Sequence, residues 1–144
     1  MQEQNYGNHV RLVPAYHFVL APILVLTLIG SVVNLVKSMG DHERLYSAAL
    51  IVVLVVTSIM LWIFGRVFPL KAQDRAIRAE ENLRHYVLAG KLLDPRLSAL
   101  QIVALRFASD DEFVALAARA AQEGLSPKAI KQAVKNWRAD TYRV

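Results

Sequence analysis

Apolar positions divide the chain into two halves of different kind. From Leu12 to Val36 the only ionisable side chains are Tyr16 and His17. As a helix this run would reach about 37 Å, more than the roughly 30 Å hydrocarbon core of a bilayer. A second uncharged run, Leu45 to Gly65, is bracketed by Arg44 and Arg66. Runs of this length predict transmembrane helices, placed at 14–36 and 45–65 within a hairpin over 12–68. In lipid each backbone N–H and C=O must be paired within its own segment. The β-branched stretch "IVVLVVTSI" is therefore predicted helical as well.

The link "KSMGDHER" (37–44) is short. Gly40 is suited to close the first helix as a C′ glycine, and Asp41 to cap the second. So short a link predicts an antiparallel hairpin with both chain ends on one side. Lys37 and Arg44 flank the loop, whereas Arg11, Arg66, Lys71, Arg75 and Arg78 flank the terminal side. This bias predicts a multi-pass protein of the bacterial inner (cytoplasmic) membrane with both termini cytoplasmic.

Within "HVRLVPAYHFVLAP" (9–22), Pro14 falls near the start of the span, where a missing N–H costs little. Tyr16 and His17 fall at headgroup depth, where amphipathic rings are favoured. Pro22 lies deeper and is expected to kink or loosen the helix. His9 and His17 are the chain's candidate haem or chlorophyll ligands. A bis-histidine haem needs a facing histidine, however, and the second span has none. Interfacial anchoring is the favoured reading, and no cofactor is expected.

Composition sharpens the division. Hydrophobic residues make up 55% of the 144 residues and charged ones 20%. Residues 1–70 carry four basic side chains (Arg11, Lys37, Arg44, Arg66) and three acidic ones (Glu3, Asp41, Glu43). The absence of cysteine removes disulfides, thiolate catalysis and cysteine metal sites. The first apolar run begins late and outlasts a signal-peptide core, so no cleaved leader is expected. No Asp, Glu, Lys or Arg falls mid-span, which argues against a proton relay or transporter built from this chain alone.

Thr27, Gly30, Ser31 and Asn34 share one face of the first span. Ser47, Ser58 and Gly65 share a face of the second with Ile51, Leu54 and Leu61. Small and hydroxyl residues let membrane helices approach closely, so these faces are expected to zip the hairpin or to meet a partner.

Beyond Pro69 a charged juxtamembrane segment (69–93) predicts a helix from about Ala72 to Ala89, stopped by Gly90. The spacings Asp74–Arg78, Glu80–Arg84 and Glu81–His85 suit i,i+4 pairing on a solvated or membrane-surface helix. A small three-helix unit is expected over 94–144, with helices near 98–107, 110–123 and 127–139. "SALQ" (98–101) and "SDDE" (109–112) read as capping boxes, and Ser126-Pro127 as a cap with proline at N1. Leu100, Val103, Leu105, Phe107, Phe113, Val114, Leu116, Leu125, Ile130, Val134 and Trp137 are its candidate core. Some 50 residues are marginal for independent stability, so docking on the long helix or on a partner is expected.

"ARAAQEGLSPKAI" (118–130) has helix-turn-helix-like spacing at Ala120, Gly124, Ser126 and Ile130, followed by Lys128, Lys131, Lys135 and Arg138. Arg119 and Glu123 fall where that motif wants apolar packing. Membrane-surface or protein contact is favoured over nucleic acid. The chain contains no HExxH, GxSxG, Walker or dinucleotide motif, and it is not expected to be an enzyme. The acidic run Asp110-Asp111-Glu112 suits a helix N-terminus better than a metal.

"QNYGNHVRLVPAYHFVLAP" (4–22) and "LRFASDDEFVALAARAAQEGLSPKAIKQAVKNWRADTYRV" (105–144) resemble a family of small, uncharacterised two-span bacterial membrane proteins. The shared features are a QNYxNHxR start, a PxYHF at the head of the span and an AIKxAxKNWxADxYRV end. The resemblance implies the two-span topology and no assigned activity. It directs attention to Asn5, Tyr6, Asn8, His9 and Arg11 at one end, and to Trp137, Arg138, Asp140, Tyr142 and Arg143 at the other. In a hairpin with both ends cytoplasmic, these clusters could meet each other or a shared partner.

The expectation is therefore an all-α protein: a transmembrane helical hairpin, a charged helix and a small cytoplasmic helical unit. The expected role is a non-catalytic accessory or scaffold subunit of a larger membrane complex, respiratory or photosynthetic among the candidates. Its partners would be membrane lipids and other membrane subunits. The alternative is a membrane-tethered module whose basic C-terminal helices bind anionic lipid or nucleic acid. The candidate partner-binding residues are Asn5, Tyr6, Asn8, His9, Arg11, Tyr16, Thr27, Gly30, Ser31, Asn34, Lys131, Lys135, Trp137, Arg138, Tyr142 and Arg143.

Overall fold

In the computed structural model, residues 4–140 are described. Among them the chain is all-helical: a π-helical turn, Ala15–Leu20, then α1 (Ala21–Lys37), α2 (His42–Ala89), α3 (Ala99–Leu105), α4 (Asp110–Glu123) and α5 (Pro127–Ala133). It forms two compact units. One is Arg11–Phe68; the other combines Met1–Val10 with Pro69–Val144.

In the first unit, the sequence around Pro22 loosens the helix as expected, in a definite form. Pro22 offers no N–H to the preceding turn, and its ring crowds the carbonyl four residues back. Widening Ala15–Leu20 to the π repeat makes room for the ring, and regular α-helix resumes with Pro22 in its first turn. Gly40 adopts φ 102°, and Asp41 Oδ1 accepts from Glu43 N (3.2 Å) and Arg44 N (3.3 Å), so the second helix is capped as read.

The zipper faces differ from expectation. The least exposed positions of α1 are Ala21, Leu24, Leu28, Ser31 and Leu35, continued by Ser38 at its C-cap; those of α2 include Leu45, Ala48, Val52, Val55 and Ile59. Both sets step by three and four, the seam of paired helices crossing at a shallow angle. Of the predicted small-residue faces only Ser31 lies in the seam. Thr27, Gly30 and Asn34, and Ser47, Ser58 and Gly65, are exposed. The seam has its own small residues, with Ser31, Ser38 and Ala48 its most buried positions beside Val55 and half-buried leucines between them, so the other small-residue positions are left on the outside.

α2 also joins the expected second span (45–65) to the expected charged helix (from about Ala72) without interruption. It is one helix of 48 residues with Pro69 inside it. Pro69 offers no N–H to the Gly65 carbonyl four residues back, so one bond of the helical ladder is missing there while the helix continues.

In the second unit, Ile77, Glu81 and His85 form a buried row one turn apart along α2. The charged helix is thus one wall of the fold, and the small unit docks on it as its size requires. Gly90 stops the helix at φ 69°, its N–H bonded to Tyr86 O (2.8 Å). The core is Leu93, Leu97, Ile102, Leu105, Phe107, Phe113, Leu116, Ile130 and Val134, with small alanines between them. Leu100, expected inside, is 59% exposed, while Leu93, Leu97 and Ile102 are buried in its place. The Ser98–Gln101 capping box is present in both directions, and Ser126 caps α5 through Ala129 N (3.1 Å). α5 ends at Ala133, well short of the expected residue 139.

Candidate functional site

The shortened α5 explains the site, which lies wholly within the second unit. From Val134 (φ −65°, ψ 121°) the chain runs extended as a strap across the end of α3. Arg138 N donates to Phe107 O (2.7 Å) and Ser109 N donates to Asn136 O (3.0 Å), which makes a single antiparallel bridge between Ala108 and Trp137. Glu112 completes the attachment by accepting from Lys135 N (3.1 Å) and Asn136 N (3.0 Å). The expected capping box at 109–112 therefore does not form. Ser109 stands at the N-cap without a side-chain cap bond, and the strap takes over the half of the box that would join the Glu112 carboxylate to the Ser109 N–H. Asn136 satisfies the backbone N–H of Ser109, and Glu112 serves the strap instead.

The N-terminal segment lies on this strap. Asn5 and Asn8 close a turn: Asn5 N donates to Asn8 Oδ1 (2.6 Å) and Gly7 N to Asn5 Oδ1 (2.8 Å). The turn presents His9, whose ring stacks on Tyr6 at 5.6 Å and meets Phe107 edge-on at 5.8 Å and Trp137 at 5.9 Å. His9 Nε2 lies 3.1 Å from Lys131 Nζ, and Nδ1 lies 2.7 Å from Tyr6 O. An ammonium group only donates, so Nε2 accepts and the ring proton sits on Nδ1, donating to the carbonyl. Gln4 adds a two-way contact with Asp140: its Oε1 accepts from Asp140 N (2.7 Å) and its Nε2 donates to Asp140 O (3.4 Å). Members of the two polar clusters singled out by the resemblance thus come together, His9 against Trp137, with Gln4 beside them on Asp140.

Beside them is a chain of charges. Arg84, whose side chain is 11% exposed, donates to Glu81 Oε2 (2.9 Å), Asp110 Oδ1 (2.7 Å) and Ala108 O (2.7 Å). Its guanidinium lies 4.2 Å from the Phe113 ring centre. Glu81 also receives Arg138 (3.5 Å), and Arg106 pairs with Asp140 (3.1 Å) over the Phe107 face. The expected i,i+4 pairs are replaced by this i,i+3 contact and by long-range ones. His85 turns from Glu81 to the carbonyl of Lys91 (2.6 Å). An open cleft of about 290 Å³ lies along the network, lined by Gln73, Glu80, Glu81, Arg106, Arg138 and Asp140. Among the described residues no group of three His, Asp or Glu side chains is placed to hold a metal ion.

The remaining candidates fall elsewhere. Lys131 and Lys135 are committed to the clasp through the His9 contact and through backbone bonding to Glu112, respectively. Arg11 belongs to the hairpin unit. There Tyr16 stacks on Trp62 at 5.3 Å and its hydroxyl donates to Trp62 O. His17 Nδ1 lies 2.9 Å from Val13 O, a local satisfaction on its own turn. Tyr142 and Arg143 lie outside the described residues. Sequence reasoning missed Gln4, Glu81, Arg84, Arg106 and Glu112. The one available signal was Ile77, the buried apolar residue whose i,i+4 row carries Glu81 and His85.

These features define a class: an all-helical chain with two helices long and apolar enough to cross a membrane, joined to a small helical unit clasped by its own N-terminal segment. The chain belongs to a family of unknown function, DUF6526, whose profile matches residues 1–144. No curated protein and no solved structure matches it.

Proposed function

We propose that this protein is a membrane-anchored accessory or scaffold subunit of a larger membrane complex in the bacterial cytoplasmic membrane, with both termini on the cytoplasmic side. One observation carries the reading. The hairpin uses its leucine-rich seam for itself and leaves Thr27, Gly30 and Asn34, with Ser47, Ser58 and Gly65, facing outward. Lipid gains nothing from such residues, whereas a neighbouring helix gains close approach and hydrogen bonds. The apolar windows of the two helices are only 6% and 11% buried, so a bilayer or another subunit must cover them. The topology draws support from the excess of Lys and Arg on the terminal side and from the packing of residues 4–9 against the strap, which brings both flanks of the hairpin together.

The test is purification from native membranes in mild detergent, followed by mass spectrometry and an absorption spectrum of the same peak. Integral membrane subunits at fixed stoichiometry are expected, with colour if the complex is respiratory or photosynthetic. A chain that elutes without other subunits overturns the scaffold reading. Binding of its basic C-terminal surface to anionic vesicles or DNA would then identify it as a tethered binding module.

A further inference from the structure

The wall of α2 that docks on the small unit leaves an opposite wall uncovered, and that wall has a regular pattern. Ala72, Ala76, Ala79, Leu83 and Tyr86 are all exposed, Leu83 at 64% and Tyr86 at 54%. They step by four, three, four and three. At 3.6 residues per turn their mean direction lies about 180° from that of the buried row Ile77, Glu81 and His85. This is a coiled-coil seam on the solvent side of a helix already held rigid from behind. In that register Ala76 and Leu83 are a positions and Ala72, Ala79 and Tyr86 are d positions. Arg75 then occupies a g position and Glu80 the following e position.

The flanking charges select the occupant. In a parallel pair of identical helices, a g residue meets the e′ residue five positions later on the partner. That places Arg75 of each copy against Glu80 of the other, two symmetric opposite-charge contacts. Both side chains are exposed, Glu80 at the rim of the cleft it shares with Arg138. An antiparallel pair would set g against g′ and e against e′, which offers no Arg75–Glu80 contact. The alanines at three of the five seam positions permit close approach, and Leu83 and Tyr86 supply the large apolar area.

We propose that the outer face of α2, from Ala72 to Tyr86, binds the same face of a second copy of this chain, making a parallel two-fold dimer with Arg75–Glu80′ contacts at its flanks. Two-fold pairing of identical surfaces is the commonest form of self-association. Two heptads are too short to hold a soluble dimer alone, so the interface belongs to the full chain and is tested there.

The chain contains no cysteine, so single-cysteine variants report one position each. In native membranes, mild oxidation of Ala76→Cys, Ala79→Cys and Leu83→Cys is expected to give disulfide-linked dimers. Arg78→Cys, exposed but off the seam, is expected to give several-fold less. Charge reversal supplies the second arm. Arg75→Glu or Glu80→Arg alone is expected to raise the dimer dissociation constant of the purified full chain about tenfold, and the double reversal to restore it. Equal cross-linking at seam and off-seam positions overturns the proposal, as does failure of the double reversal to rescue, or protection of the seam by a different protein. The last outcome would still leave the accessory-subunit reading standing, whereas a dimer free of other subunits would refute that reading and not this one.

Discussion

Arg84 and Glu81 allow the most direct test of the clasped unit, because both are nearly removed from water and each has the other as a close partner. Their side chains are 11% and 6% exposed and 2.9 Å apart. Replacing Arg84 by Met keeps much of the packing over Phe113 but leaves the Glu81 carboxylate with Arg138 alone, at 3.5 Å. It also strips the donor from the Ala108 carbonyl. Breaking one side of a buried ion pair costs about 3–5 kcal/mol, since the remaining charge stays desolvated. A unit of this size has a total stability of only some 5–10 kcal/mol. With a urea dependence near 1 kcal/mol per molar, Arg84→Met is expected to lower the unfolding midpoint by roughly 3–5 M. The assay is urea unfolding of the full chain in mild detergent, followed by Trp137 emission in a Trp62→Phe background. Trp62 belongs to the hairpin, so this background leaves a single reporter on the strap. Glu81→Leu alone should also destabilise. The double variant should recover at least about 1.5 kcal/mol relative to the sum of the singles, because no charge is then left buried without its partner. Singles costing under about 1 kcal/mol, or additivity within about 0.5 kcal/mol, would refute the view that this buried pair on α2 is a coupled part of the network that reaches α4 through Asp110.

Two further expectations follow from the same geometry. Ser98→Ala should cost about 1 kcal/mol because it breaks a working capping box. Ser109→Ala should be neutral or slightly stabilising, because that buried hydroxyl has no hydrogen-bond partner; matched losses at the two serines would contradict the strap geometry. The side-chain hydrogen bond from Arg96 holds the Asp94 carboxyl down at about 2, below its ordinary 3.8. Its contribution to stability is therefore complete above about pH 4 and is lost as the pH falls toward 2. NMR titration of the carboxyl carbon should show a midpoint near 2, returning toward 4 in Arg96→Gln. An unchanged midpoint in that variant would remove Arg96 as the cause.

Local signals were legible wherever a single turn of chain settles the structure. The two long apolar runs, the Gly40–Asp41 link, the Gly90 stop, the Ser98 box and the Ser126-Pro127 start all depend on residues within about four positions of each other. Pro22 announced a disturbance, and the backbone answered with a π turn. Pro69 fell between two separately expected helices, and the structure runs one helix through it. The hairpin seam was not legible for a different reason. A helix that is apolar all round has no polar side to mark its orientation, so stripes one position apart, such as Leu24–Leu28–Ser31 and Thr27–Gly30–Asn34, compete on equal terms. Only the packed pair of helices chooses.

The site shows the same division. Sequence alone established that the ends of the chain hold unusual polar clusters and that α4 begins at an acidic turn. It could not tell that Glu112 would cap a strap 23 residues away and not its own helix, or that Arg84 would pass over its i−4 partner for Glu81 and Asp110. Those choices pit a local bond against a distant one of equal chemistry. The distant bonds prevail because the strap and α4 pack around Phe107 and Phe113, whose burial brings otherwise unpaired backbone N–H groups and charges to the places these side chains reach. Short-range physics determined the elements, and burial of the aromatic core decided which polar groups meet.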